Sequence, residues 1–240
     1  VKTLLMSDVH IGYKYSRAVD AVNTLDTEKF DRLILIGDIF DISNMINGRG
    51  YWDEHHTNFL KKLLKLAKTK KIIYVVGNHD YPLDYLKEYT SKIAGIQFYR
   101  EYTYESGNKK ITCVHGDEYE NINPRVRKIG DSLYHICLWS NIYINVVRKW
   151  FNRPYWSFSK WCKDKVKTVI SKAFDIEQKM GVAFSLSDKI IYGHTHMPFV
   201  GNLFSNTGSF VEIATYITEQ NGVLTLHNMD NKIEETHNGA

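Results

Sequence analysis

The sequence predicts a layered α/β fold interrupted by a helical insertion, on three observations. Five short apolar runs each end in a cluster of Gly, Asp, Asn or His. A helix-patterned, lysine-rich segment separates the second run from the third. Residues from about 121 to 185 then abandon this rhythm for a basic, aromatic stretch with no buried-strand run. At 240 residues the chain fits a single domain, 1–240, carrying 121–185 as an insertion, and it can bury a real core.

The first run, TLLMSDVH (3–10), is read as a strand and not a leader peptide, because it is short and a charge follows at once. RLILIGDIFD (32–41), KIIYVVGNHD (71–80), KITCVHGDE (110–118) and KIIYGHTH (189–196) repeat the pattern. Consecutive bulky or β-branched residues without polar alternation suit strands covered on both faces. Between the second and third runs, Phe59, Leu60, Leu63, Leu64 and Leu66 recur at helical spacing with lysines opposite. Strand, helix, strand is the order of a layered α/β domain. Near the end, NLFSNTGSFVEI and GVLTLHN read as antiparallel strands with Asn-Gly turn signals between them.

Composition narrows the class. With 43% hydrophobic and 24% charged residues, the chain is globular and not disordered. The net charge of +4 is too small to name a nucleic-acid partner unless it is unevenly spread. It is uneven: residues 124–180 hold twelve Lys/Arg against four Asp/Glu, and four of the five tryptophans. Three scattered cysteines without a CxxC pair argue against a disulfide framework or a thiolate zinc site, and for a reducing, cytoplasmic setting. SLYHICLWSNIYINVV (132–147) is shorter than the roughly 20 apolar residues of a membrane span, and two asparagines interrupt it.

Every predicted strand end carries metal-ligand chemistry: Asp8 and His10, Asp38, Asn78, His115, then His194 and His196. Ligands in layered α/β proteins gather beyond the carboxyl ends of strands. Carboxylate, amide oxygen and imidazole without thiolate suit Mn, Fe or Zn. Seven such groups exceed what one open ion needs, and two ions would share them. Taken singly, each has an ordinary reading: Asp8 and Asp38 as helix caps or turn formers, Gly77-Asn78 as a turn pair, His115 as a core histidine. Asp80 and Asp117 are either partners of ligating histidines or turn residues.

The series Asp8-Val9-His10, Gly37-Asp38-Ile39-Phe40-Asp41, Gly77-Asn78-His79-Asp80, His115-Gly116-Asp117 and Gly193-His194-Thr195-His196 resembles, in order, the motifs of the calcineurin-like metallophosphoesterases. The resemblance implies a layered β-sandwich flanked by helices, and two divalent ions, with manganese expected and iron or zinc as alternatives. It assigns Asp8, His10 and His196 to one ion, Asn78, His115 and His194 to the other, and Asp38 as the bridge. It further implies attack by a hydroxide shared between the ions on a phosphodiester or pyrophosphate bond. His79 would protonate the leaving oxygen and Asp41 would orient it.

Residues 118–185 are similar to the helical lid of the UDP-2,3-diacylglucosamine pyrophosphohydrolase branch, which acts on a nucleotide-linked lipid at the inner membrane surface. That branch carries arginine where this chain has His79. The physical pattern of the long helix agrees with a lid: Asn141, Asn145, Arg148 and Lys149 form a narrow polar stripe and the rest is apolar. Such a helix is buried on two sides, or buried on one and turned toward something oily. An anionic lipid or peripheral membrane contact through 124–180 fits this, as does simple packing on the core. Arg125, Arg153, Ser159 and Lys163 are the candidate substrate-binding residues. A phosphodiesterase or nuclease acting on nucleotides or nucleic acid is the alternative, with the basic, aromatic insertion supplying phosphate contacts and base stacking. A phosphoprotein phosphatase and a non-catalytic interaction module are more remote alternatives.

Overall fold

Strand alternation explains why two sheets stack face to face. In β1 (Lys2–Met6), Leu4 and Met6 face one layer while Leu5 faces the other. The same split recurs in β2 (Arg32–Ile36), where Leu33 and Leu35 oppose Ile34 and Ile36. Both faces of these strands are dry, as the runs without polar alternation predict. The structure is a computed structural model describing residues 1–85, 92–120, 124–165, 167–230 and 233–237, with backbone alone at 92, 124–135, 163–165, 167–174 and 233–237.

The remaining strands are β3 (Lys71–Val75), β4 (Lys92–Ile93), β5 (Ile96–Tyr99), β6 (Glu101–Ser106), β7 (Lys109–Val114) and β8 (Lys189–Tyr192). They continue with β9 (Phe199–Val200), β10 (Phe204–Asn206), β11 (Thr215–Gln220), β12 (Val223–Asn228) and β13 (Ile233–His237). One sheet has the order β13-β12-β11-β1-β2-β3-β5-β4, the other β6-β7-β8-β10-β9. Helices α1 (Ala18–Thr27), α2 (Ile42–Ile46) and α3 (Glu54–Leu66) lie along the first sheet. Phe59 and Leu63 of α3 bury there as the periodicity requires, and Asp53 caps the helix by accepting from the His55 and His56 amides.

β1, β2 and β3 run parallel, and so do β7, β8 and β10. Parallel pairing puts the carboxyl ends of β1, β2 and β3 at one edge, and those of β7 and β8 likewise. Backbone hydrogen bonds stitch these ends together: Asp8 N to Gly37 O at 3.0 Å, His10 N to Asp38 O at 2.9 Å, and Gly193 N to His115 O at 3.2 Å.

The C-terminal part differs from expectation. NLFSNTGSFVEI contributes only β10, which runs parallel to β8 in the second sheet. β12 instead pairs antiparallel with β11 on one side and β13 on the other, and Asn221-Gly222 makes the turn between β11 and β12, with both residues at positive φ. Residues 207–214 are drawn out of the strand by bonds to site residues, among them Phe210 N to Asp8 O at 3.0 Å.

The insertion forms α4 (Pro124–Trp150), α5 (Phe158–Lys165) and α6 (Lys167–Ala183). Ile176 and Met180 of α6 pack on Val114, Ile190 and Tyr192 of the second sheet, completing the outer layer. The polar stripe of α4 is a seam. Asn141 Oδ1 accepts from Phe158 N at 2.7 Å and Ser159 N at 3.2 Å, and its Nδ2 donates to Ser159 Oγ at 2.9 Å. Asn145 accepts from Trp156 N and donates to Trp156 O, each at 2.8 Å. Arg148 Nε donates to Pro154 O at 3.0 Å. The returning segment meets the core at Tyr155, whose ring lies 4.8 Å from the Arg17 guanidinium. Arg17 is in turn held by both oxygens of Asp230. Among the described residues no helix is long and apolar enough to cross a membrane.

Asn141 is 5% exposed, so its removal strands the Phe158 and Ser159 amides, while the Ser159 hydroxyl keeps its bond to Ser157. Asn141→Ala is expected to destabilise the protein by about 1–3 kcal/mol. Melting should then come earlier by about 2–4 °C per kcal/mol. Thermal unfolding and limited proteolysis within 150–160 check this; wild-type values in both would refute it.

Candidate metal centre

The parallel strand ends bring six of the seven predicted ligand residues, Asp8, His10, Asp38, His115, His194 and His196, into one crevice between the sheets, and the seventh, Asn78, directly precedes His79, which joins the same cluster. One ligand atom each from Asp8, His10 and His196 lie within 4.8 Å of one another. The same holds for Asp38, His115 and His194, and for Asp38 with His10 and His79. Asp38 links the groups: its Oδ2 lies 3.2 Å from His115 Nε2 and 4.0 Å from His10 Nε2.

Each imidazole has its far nitrogen tied to an acceptor. His10 Nδ1 lies 3.3 Å from Asp41 Oδ2, and His115 Nδ1 is 2.9 Å from the Ile36 carbonyl. His196 Nδ1 is 2.8 Å from Glu212 Oε2. His194 reverses the pattern, with Nε2 lying 3.0 Å from Glu120 Oε2. Carbonyls and ionised carboxylates only accept, so those nitrogens carry the hydrogen, and when the ring is neutral its other nitrogen bears the lone pair. In the neutral ring the lone pair is therefore on Nε2 in His10, His115 and His196, and on Nδ1 in His194; His196 Nε2 lies 3.1 Å from Asp8 Oδ1 and His115 Nε2 3.2 Å from Asp38 Oδ2.

Four buried polar atoms here make no regular hydrogen bond, Asp8 Oδ1, His10 Nε2, Asn78 Oδ1 and His115 Nε2, although Asp8 Oδ1 faces His196 Nε2 at 3.1 Å and His115 Nε2 faces Asp38 Oδ2 at 3.2 Å, contacts that hold only while those imidazoles are protonated. Buried polar atoms are satisfied almost everywhere in folded proteins. A carboxylate oxygen, an amide oxygen and two imidazole nitrogens orphaned together are a donor set for hard or borderline divalent ions. The residues fit such ions.

Charge is arranged to keep the carboxylates ionised. Burial alone would raise the Asp8 pKa, but the charge and hydrogen bond of His196, with His115 behind it, hold it below the ordinary value. Asp38 is pulled well down against its burial by His115, His79 and His10. Asp41 is also lowered against burial, by its bonds to His10 and His79. His79 Nδ1 is 2.9 Å from Asp41 Oδ1. Burial depresses the His79 imidazolium, yet the Asp41 bond and the Asp38 charge outweigh it and lift its pKa to about 9.

The backbone is bent to deliver these groups. Asp8, His10, Asp38, His194 and His196 all have φ between 51° and 63°. That left-handed region costs a non-glycine residue about 1–3 kcal/mol, so the surrounding loops must impose it. The flanking glycines answer a different constraint. A Cβ on Gly37 would lie 2.2 Å from His115 Nδ1, and one on Gly193 would lie 2.5 Å from Asp8 Oδ2. Only a residue without a side chain lets these ligands approach.

Asp80 does not touch a ligating histidine. It accepts from Ile39 N at 2.9 Å, Gly77 N at 2.6 Å and the Tyr74 hydroxyl, tying two motif loops together. Asp117 sits in a 3-10 turn, 3.9 Å from Arg100. Of the candidate substrate-binding residues, Ser159 is 1% exposed and engaged with Asn141, while Arg153 is exposed on the returning segment. The side chains of Arg125 and Lys163 lie outside the described residues. Sequence reasoning missed Glu120 and Glu212. Glu212 is 2% exposed and also accepts from Ser209 Oγ at 2.6 Å. Neither belongs to a motif, and only Glu120 has a local pointer, three residues beyond His115-Gly116-Asp117.

A family model described as calcineurin-like phosphoesterase matches residues 1–198. Among solved structures, the chain is similar to Yfce, a phosphoesterase from E. coli, at 14% identity and TM-score 0.49, covering 99% of this chain and 98% of that one. It is similar to a novel archaeal phosphodiesterase at 16% identity and TM-score 0.43, covering 99% of each chain. Vps29 from Entamoeba histolytica complexed with zinc matches at 12% identity and TM-score 0.44, over 99% of this chain and 97% of that one. These are distant likenesses, and what those proteins bind or cleave belongs to them. No curated protein matches the chain.

The carboxylates behind the histidines can be tested separately. Glu212→Ala and Glu120→Ala are each expected to weaken divalent-ion binding about 10–100-fold. Calorimetric titration of the metal-stripped protein checks this; unchanged affinity in both variants would show that they do not orient the rings. Gly37→Ala should lose ion binding more completely, because its methyl group displaces His115.

Proposed function

Because the chain belongs to the calcineurin-like phosphoesterase family, and is thereby a hydrolase, we propose that it cleaves a phosphodiester or pyrophosphate bond with two divalent ions held in this crevice. Asp8, His10 and His196 hold one ion, Asn78, His115 and His194 the other, and Asp38 bridges them. The observation that carries the reading is the close grouping of Asp8, His10 and His196 and of Asp38, His115 and His194, together with four buried donor atoms without a regular hydrogen bond, Asp8 Oδ1, His10 Nε2, Asn78 Oδ1 and His115 Nε2. Two bound dications supply charge neutralisation of the phosphate oxygens and an acidified water. Manganese is the ion we expect there; iron and zinc suit the same donors.

His79 acts as the general acid. Its Nδ1 is committed to Asp41, so Nε2 is the nitrogen that passes a proton to the leaving oxygen. Asp41 fixes the ring, keeps it protonated near neutral pH, and through its other oxygen orients His10 as well. One buried carboxylate thus positions an ion ligand and the acid together.

For the substrate, the finer proposal is a nucleotide-linked lipid of the UDP-2,3-diacylglucosamine type, supported by the exposed apolar residues of the insertion. His79 favours the broader phosphodiesterase reading, in which the substrate is a soluble phosphodiester. A cytoplasmic enzyme working at the inner membrane surface goes with the first.

The roles separate by leaving group. His79→Ala should lower turnover of an alkyl or nucleoside ester by about 10²–10⁴-fold. It should affect bis(p-nitrophenyl) phosphate far less, because p-nitrophenolate leaves without a proton. Equal losses on both would remove His79 as the acid. Release of UMP from UDP-2,3-diacylglucosamine in detergent, by manganese-loaded protein, tests the finer substrate. Hydrolysis of the p-nitrophenyl ester alone would leave the phosphodiesterase.

A further inference from the structure

The seam between α4 and the returning segment has a register. Asn145 is bonded to Trp156, and Asn141, one turn earlier on α4, is bonded to Phe158 and Ser159. The two limbs of this hairpin run antiparallel, so a turn back along α4 is met by a turn forward along α5. One more turn back from Asn141 stands Cys137, and one turn forward from Ser159 stands Cys162. The two thiols meet there: the Cys162 side chain is in hydrogen-bonding contact with that of Cys137. Both cysteines are free and partly exposed. Cys113, by contrast, is buried in the core with Ile111 and Ile191, where a reagent reaches it only after unfolding.

We infer that Cys137 and Cys162 are a reversible oxidation site, a dithiol that a small-molecule disulfide converts into an intramolecular disulfide bond between α4 and α5. The thiolate of one cysteine attacks a sulfur of the reagent, forming a mixed disulfide and releasing one small thiol. The thiolate of the other attacks the protein sulfur of that mixed bond, and the second small thiol leaves. The protein thiols give up two protons and two electrons in all, and the two sulfurs of the reagent take them up.

The second step is intramolecular, and the Asn141 bonds already hold the two thiols together, so ring closure outruns further attack from solution. Burial and the Cys137 contact hold the Cys162 pKa above its ordinary value. The pair therefore rests as thiols in a reducing setting and responds to a sustained oxidising shift. The bond ties covalently two limbs that the seam holds by hydrogen bonds, and so opposes local opening of the hairpin. Neither cysteine belongs to the grouped metal-ligand residues, so the site stands apart from the hydrolysis proposed above.

The experiment equilibrates the full chain in glutathione buffers of rising oxidised fraction and quenches each sample by alkylation. Peptide mapping without reduction is expected to find Cys137 linked to Cys162, with Cys113 a free thiol, and excess dithiothreitol should restore the pair. Proteolysis within 150–160 should slow at least about tenfold on oxidation of the wild-type protein. In Cys137→Ser and Cys162→Ser the remaining partner should stop at the mixed disulfide with glutathione, and proteolysis should not slow. Cys162→Ala repeats the test in case serine disturbs the seam. The proposal is overturned if the wild-type protein accumulates mixed disulfides without the internal link, or if the link joins two chains. It is equally overturned if both thiols survive the most oxidising buffer, or if the linked protein is cleaved as fast as the reduced one.

Discussion

Two carboxylates with almost no solvent exposure, Asp8 and Asp38, set the terms for the rest of the molecule. A buried anion without compensation would take up a proton. Here His196, His115, His79 and His10 surround them and keep them charged. The same imidazoles must be neutral to hold ions, so ion binding and proton release are one event. Both sheets exist in their observed register to meet this demand. Carboxylates come from the first sheet, three histidines come from the second, and the strand ends must abut for the charges to balance.

Meeting that demand overrides local backbone preference. Five of the ligand residues sit in the left-handed region although none is glycine, while Gly37 and Gly193 occupy places where any Cβ would strike a ligand. Local rules fail where the site is, and the loops compensate with directed hydrogen bonds. Asp80 alone ties Ile39, Gly77 and Tyr74 together. Pinning every imidazole at its far nitrogen is the side-chain counterpart of the same preorganisation.

The insertion obeys a different logic. Its last helix is part of the fold, since Ile176 and Met180 complete the outer layer of the second sheet. The described part of its first helix is held to the returning segment by bonds from Asn141, Asn145 and Arg148. Leu138 is the one large apolar side chain of α4 that is fully buried among those described. Hydrogen bonds can orient a helix without consuming its hydrophobic surface, which leaves that surface available.

The order of the chain was legible because each ligand follows directly on a strand. Buried strands announce themselves as apolar runs, and Asp8, Asp38, Asn78, His115 and His194 are simply what comes next. Parallel pairing then makes convergence a geometric consequence. The strand of NLFSNTGSFVEI was misplaced because its second half is recruited around His196, through contacts that lie outside its own pattern. Glu212 and Glu120 were invisible for a related reason: they reach their histidines across 16 and 74 residues of chain. By itself the sequence determined which donors end which strands, and that α4 has one narrow polar stripe. Tertiary structure alone decided which nitrogen of each histidine is tied to a distant acceptor, and that the stripe faces inward. Both depend on where distant acceptors and amides come to lie, and a one-dimensional pattern does not contain that information.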